Sequence, residues 1–181
     1  MSEQFTVTID KADVERRLGD LKAKAPQVIA RGLNQTAKDA RKRLADKARE
    51  AYTVKTAKFN SSMKIKNATA GNLVAIIRSA GSPLSLTSFS HRASRRSTAS
   101  AQVVRGGGFK PLDKGGIKAW KGKNGLLWQR RTEARLPVKT LKSNSIPVMI
   151  GSEKHVYGIV EPHIQSDLQK NISTAIAKLV G

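Results

Sequence analysis

Hydrophobic positions follow two different periods along this chain. Near the start, Phe5, Val7 and Ile9 alternate with polar residues, the pattern of a short half-buried strand, and Asp10 supplies a cap for a helix behind it. From there Val14, Leu18, Leu21, Ala25, Val28, Ile29, Leu33, Ala37, Ala40, Leu44 and Ala48 recur every three or four residues, with charged residues between them. That spacing places one apolar stripe along a long amphipathic helical region. Gly19, Pro26 and Gly32 interrupt it. A proline inside a helix removes a hydrogen bond and clashes with the preceding turn, so a break is expected near Ala25, with the second piece the longer. Thr53 then offers a cap for a short helical turn running through Lys58.

Beyond that turn the period shortens to two. The stretches MKIKNA and NLVAIIRSA read as two strands of a hairpin, joined by the turn-prone residues 69–72. Residues 82–102 are rich in Ser, Thr and Arg and hold almost no large apolar side chain after Phe89, which predicts an exposed, mobile basic arm. Short apolar runs at 103–104, 117–120, 126–129, 136–140 and 146–150, separated by Gly, Lys and Pro, have the spacing of a small antiparallel sheet. Its strongest hairpin signal is the KGKNG turn between Trp120 and Leu126. Helical spacing returns in Val156, Ile159, Val160, Ile164, Leu168, Ile172, Ile176 and Leu179, with Ser152 as an N-cap and Pro162 bending the chain into a terminal helix over 162–179. The expected fold class is α+β: a long N-terminal helical region and a C-terminal helix packed on a small antiparallel sheet, with an extended basic arm. At 181 residues this is expected to be one domain, 1–181.

Charge changes the picture most. The chain has 34 Lys and Arg against 13 Asp and Glu, a formal net charge of +21. Residues 54–152 hold 19 of the basic side chains and only two acids, Asp113 and Glu133, whereas the remainder holds 15 basic and 11 acidic residues. Such a surplus repels itself unless something anionic lies alongside, which points to nucleic acid phosphates or an acidic partner. The candidate contacts are Arg92, Arg95, Arg96, Arg105, Lys110, Lys114, Lys118, Lys121, Lys123, Arg130 and Arg131. Their Ser- and Gly-rich setting suits loose backbone contact more than base readout. No zinc-finger spacing, RNA-binding aromatic signature or helix-turn-helix pair accompanies them. Phe109, Trp120 and Trp128 are candidates for contact between subunits, the two tryptophans flanking the KGKNG turn at near-mirror positions.

Catalytic readings fare less well. Aromatic residues make up 4% and hydrophobic residues 39%, a composition that supports a small aliphatic core more readily than a large enzyme pocket. The absence of cysteine excludes disulfides, thiolate metal sites and a cysteine nucleophile. His91, His155 and His163 stand in no metal or hydrolase spacing, and the run Gly106, Gly107, Gly108 lacks the Lys-Ser/Thr ending of a phosphate loop. No catalytic residue, cofactor or metal is therefore expected. A nuclease would need an acidic cluster, for which only Glu161 and Asp167 offer themselves. The N-terminus lacks a signal-peptide core and no window reaches the ~18 apolar residues of a membrane span, so a soluble product made in a cytoplasm is expected.

Several short motifs, taken in order, carry a resemblance. They are Gly32, Leu33, Asn34 and Ala37 in the basic helix; Lys123, Asn124 and Gly125 in the turn; Trp128, Gln129 and Arg130; Arg-Leu-Pro-Val at 135–138; Ser-Ile-Pro-Val-Met at 145–149; and Lys170, Asn171 and Ile172 near the end. In this order the chain resembles the prophage minor tail protein Z family, the tail completion proteins of long-tailed phages. The resemblance implies a non-catalytic virion subunit at the head-proximal end of the tail, assembled in host cytoplasm, forming a ring, sixfold by analogy with similar necks, around the DNA channel. Implied partners are the tail terminator, tail tube, tape measure and head-side connector, further copies of the chain, and the genomic DNA, with no membrane. The alternative reading is a stand-alone basic nucleic-acid-binding protein of the nucleoid or ribonucleoprotein kind.

Overall fold

The computed structural model describes residues 3–9, 25–55, 58–94 and 98–180. Strand β1 (Glu3–Ile9) forms as its alternation predicts. The 27-residue helix α1 (Ala25–Ala51) carries the apolar stripe, with Val28, Ile29, Leu33, Ala37, Ala40, Leu44 and Ala48 all buried. Pro26 is the second residue of α1 as described, and the break expected near Ala25 falls at the edge of the described residues. The expected first helical piece, 14–24, lies outside the described residues.

The expected helical turn from Thr53 through Lys58 is displaced. The single turn α2 (Phe59–Ser62) starts after Lys58, with no side-chain cap, and delivers the fully buried Phe59. Thr53 is drawn elsewhere: its hydroxyl donates to the Gln102 carbonyl and accepts the Ser90 N–H at 3.2 Å. Strand β2 (Met63–Lys66) and strand β3 (Ala75–Gly81) form the expected antiparallel hairpin, closed by paired Thr69 and Asn72 backbones at 2.8 and 3.1 Å. β1 pairs with the other edge of β3, giving the order β1-β3-β2.

Within residues 82–102, where an exposed arm was expected, the described residues include short strands and several buried side chains, and 95–97 lie outside them. Strand β4 (Leu84–Ser85), a 3₁₀ turn (Leu86–Ser88), strand β5 (Ser90–Arg92) and strand β6 (Ser100–Gln102) succeed one another, and Leu86, Phe89, Ala99 and Ala101 are buried. One phenylalanine with zero exposure anchors what the polar composition alone left loose.

The basic half is antiparallel, as expected, but divided among small sheets. Strand β7 (Lys110–Pro111) joins β5 and β6; strand β8 (Asp113–Lys114) pairs with strand β9 (Ile117–Lys118). Strand β10 (Trp120–Lys121), strand β11 (Leu127–Arg130) and strand β12 (Val138–Thr140) form a three-stranded sheet, and strand β13 (Lys142–Ser143) pairs with β4. Val104 makes only an isolated bridge to Tyr52. The apolar run at 146–150 is not a strand but the short helix α3 (Ile146–Ile150): the Ser145 hydroxyl accepts the Val148 N–H at 3.4 Å, and Pro147 sits in the first turn.

Helix α4 (Tyr157–Val180) starts before Pro162, which therefore lies inside it and does not mark its beginning. Ser152 contributes through its carbonyl, which accepts the N–H groups of Val156 and Tyr157, both at 2.8 Å. Of the predicted stripe, Val156, Val160, Ile164 and Ile172 are buried, while Ile159 is 43% exposed. α4 packs along α1, and the two approach tightly at Gly32, where a Cβ would lie 2.8 Å from Ile172 Cγ1 and 3.2 Å from its Cα. Beside it, Thr36 donates to the Gly32 carbonyl (2.9 Å), and the Asn171 amide donates to Thr36 (3.1 Å) and Asp39 (3.0 Å).

Candidate functional site

The KGKNG turn organises one wall of the candidate site. Gly122 N–H donates to the Leu126 carbonyl at 2.9 Å and Gly125 N–H to that of Gly122 at 3.0 Å; Gly125 has φ +78°, which favours glycine. The Asn124 side-chain oxygen accepts both the Leu126 N–H (3.2 Å) and the Trp128 indole N–H (3.1 Å), so the turn and the tryptophan hold each other. Trp120 stands directly opposite Trp128 across the ladder, 39% exposed. A Cβ on Gly122 would fall 2.8 Å from the Trp128 ring. Gly122→Ala is accordingly expected to destabilise by about 1–2 kcal/mol through overpacking and to shift the tryptophan emission, a pair of changes that a fluorescence-monitored melt detects.

Behind the hairpin, Gln129 is buried and donates to the Ile117 carbonyl at 2.8 Å, fastening the β8–β9 hairpin to β11. Ile117 also lines an open hollow of about 1000 Å³, together with Ser94, Thr98, Gly115 and Gly116. Lys118, Lys121 and Arg130 line it, with Trp120 in its wall and Glu133 the one acid among the described residues that line it. The structure thus gathers four of the expected contact residues into one place.

The others are distributed differently. Lys110, Lys114, Lys123 and Arg131 are exposed outside the hollow's lining. Arg92 lays its guanidinium over the Phe109 ring at 4.0 Å, so Phe109, expected at a subunit contact, already has a partner within the chain. Arg105 closes the end of α1: its backbone N–H donates to the Ala51 carbonyl (2.8 Å) and its side chain to that of Arg49 (3.3 Å), where a positive charge opposes the helix dipole favourably. Arg95 and Arg96 lie outside the described residues. Among the described residues, ion pairs are confined to the helices, joining Arg43 to Asp167, Lys47 to Glu50 and Arg49 to Asp46. The hydrogen bond and charge of Asp167 raise the Arg43 pKa, but the pair is too exposed to contribute much stability. The lysines of the β half have no such pairing.

Among the described residues, no three acids or histidines gather as a metal site. His91 Nδ1 lies 3.0 Å from the Phe89 carbonyl, His155 stands edge-on to Tyr52 at 6.1 Å between centroids, and His163 is exposed. Gly106 and Gly108 adopt positive φ in an exposed turn. Sequence reasoning passed over the positioning roles of Gln129 and Asn124, whose only signal was an amide within an aromatic-basic stretch.

Helix α4 lies along α1, small antiparallel sheets carry most of the surplus cations, and among the described residues ion pairs join helix residues alone. The family model for prophage minor tail protein Z (GPZ) matches residues 11–180, and the chain belongs to that family. It is thus a phage tail structural protein, a component of the virion. No curated protein and no solved structure matches it. Among the described residues, no helix is long and apolar enough to cross a membrane.

Proposed function

We propose that this tail protein is a tail completion subunit: one domain, 1–181, that assembles as a hexameric ring at the head-proximal end of the tail, around the DNA channel, without catalysis. Its neighbours in this reading are the tail terminator, tail tube, tape measure and head-side connector. Lys118, Lys121 and Arg130, with the exposed Lys110, Lys114, Lys123 and Arg131, meet channel DNA or an acidic neighbour. Trp120 and Trp128 serve the contact between subunits. One observation carries the reading: in a chain of the tail protein Z family, these exposed cations of the β half have no ion-pair partner among the described residues. Charge left unpaired within the subunit is available to its surroundings in the particle.

The test is a phage carrying Lys118→Gln, Lys121→Gln and Arg130→Gln together. The purified variant should melt as the parent does, because these side chains are solvated. Joining of tails to filled heads, counted by electron microscopy, should fall about tenfold or more, as expected when several charge contacts of about half a kcal/mol each are lost. Parental joining by the variant would overturn the role of the hollow. The rival, a free-standing nucleic-acid binder, would instead show tight duplex binding by the isolated monomer with a steep loss of affinity as salt rises, and absence of the chain from purified particles.

A further inference from the structure

A second cationic surface lies on the β1-β3-β2 sheet and shares no residue with the hollow. Side chains directly opposite one another in a ladder project from the same face. Met63 with Ser79 and Ile65 with Ile77 occupy one face, where Met63, Ile77 and Ser79 are buried. The other face carries Lys64 opposite Arg78 and Lys66 opposite Ile76, and Lys64, Lys66, Arg78 and Ala80 are all exposed. In register, β1 brings Gln4, Thr6 and Thr8 to the positions facing Ala80, Arg78 and Ile76. Among the described residues of β2 and β3, no acid occupies this face.

Lys64 and Arg78 are like charges at directly opposed positions, an arrangement that destabilises a sheet. Lysines on the edge strand β2 have a familiar use, since they discourage edge-to-edge pairing with stray strands. That use does not extend to Arg78, because β3 is the central strand and has no free edge. Lys64 and Lys66, two residues apart, stand roughly 6.6 Å apart along the strand, so with Arg78 they form a compact triangle of charge.

We infer that this open sheet face docks an acidic surface of a different virion protein. Charge complementarity names the chemistry. A second copy of the chain is a poor occupant, since it carries +21 itself. Nucleic acid fits less well than protein, because the row along β3 runs Ile76, Arg78, Ala80. Phosphate contacts call for donors, whereas a protein surface offers carboxylates with aliphatic groups between them. The inference rests on the tail-protein class alone and requires neither the ring nor the hollow.

The experiment uses the full chain with Lys64→Gln, Lys66→Gln and Arg78→Gln, added to purified tails assembled without this protein. Removing opposed like charges should leave the melting temperature unchanged or higher, while half-maximal incorporation should need about a hundredfold more protein, as for loss of several complementary charges at a contact. The parent's incorporation should weaken as salt rises. Incorporation equal to the parent's would overturn the inference, and so would a lower melting temperature accompanying the loss, which would mark a structural role. A comparable fall in affinity for random-sequence duplex DNA with tail incorporation intact would assign the face to nucleic acid. A change in oligomeric mass of the chain alone would assign it to a second copy. Because the Lys118, Lys121 and Arg130 variant is scored separately, failure of the hollow's proposed role and failure of this one are distinguishable.

Discussion

Replacing Gly32 with valine is expected to lower the melting temperature by about 10 °C, the loss of about 3 kcal/mol that overpacking causes in a chain of this size. The first atom of any side chain there meets Ile172 Cγ1 at 2.8 Å and its backbone Cα at 3.2 Å, so a rotamer change on Ile172 cannot clear the space and α4 must retreat from α1. Retreat also pulls Asn171 away from Thr36 and Asp39, two hydrogen bonds that sit one residue along from the contact. Alanine at the same position should cost less, about 1 kcal/mol, because its better helix propensity offsets part of the clash. Circular dichroism melts of the two variants give the order. Adding Ile172→Ala to Gly32→Val should recover part of the loss, since it empties the space the valine methyls require, and a double-mutant cycle reads that coupling.

Several parts of this arrangement could be seen in the sequence. The apolar stripe of α1 is long and regular enough to fix its buried face, and the hairpins at 63–80 and 120–128 announce themselves by alternation around turn residues. What failed did so for local reasons. The run at 146–150 is five residues long, too short for its period to separate a strand from a helix, and the deciding features are the Ser145 cap and Pro147. Residues 82–102 looked unable to bury much by themselves because the partners of their described part are remote in sequence: β4 finds β13, and the Ser90 N–H finds the Thr53 hydroxyl. The charges of the candidate site were plain, yet their grouping was not. Lys118 and Arg130 come to one hollow because buried Gln129 ties two hairpins together, while Arg92 and Arg105 are committed to Phe109 and to the end of α1. Among the residues that carried the family resemblance, Gly32 meets Ile172 and Gln129 meets Ile117, contacts between separate elements, whereas Arg135 and Leu136 are exposed.

The same helix makes a second strong prediction at Asn34, two residues on and turned away from α4. Its amide donates to the Ala68 carbonyl at 3.0 Å, and its oxygen accepts the Ala68 N–H at 2.7 Å, so one side chain satisfies both backbone groups of a residue that is only 5% exposed. Ala68 begins the turn of the β2–β3 hairpin, and the contact seats that hairpin, with its cationic outer face, on α1. Asn34→Ala leaves a buried donor and a buried acceptor without partners and is expected to cost about 2–4 kcal/mol, the sum of two desolvation penalties partly relieved by entering water. Asn34→Asp separates the two halves of the contact. A carboxylate can still accept from the Ala68 N–H but turns its other oxygen against a carbonyl, so aspartate should be no better than alanine despite its near-identical shape. Chemical denaturation gives the free energies, and amide exchange at Ala68 gives the local effect: both variants should expose that N–H well before α1 opens. Protection of the Ala68 amide equal to the parent's in Asn34→Ala would mean that the hairpin is held on the helix by its apolar contacts alone.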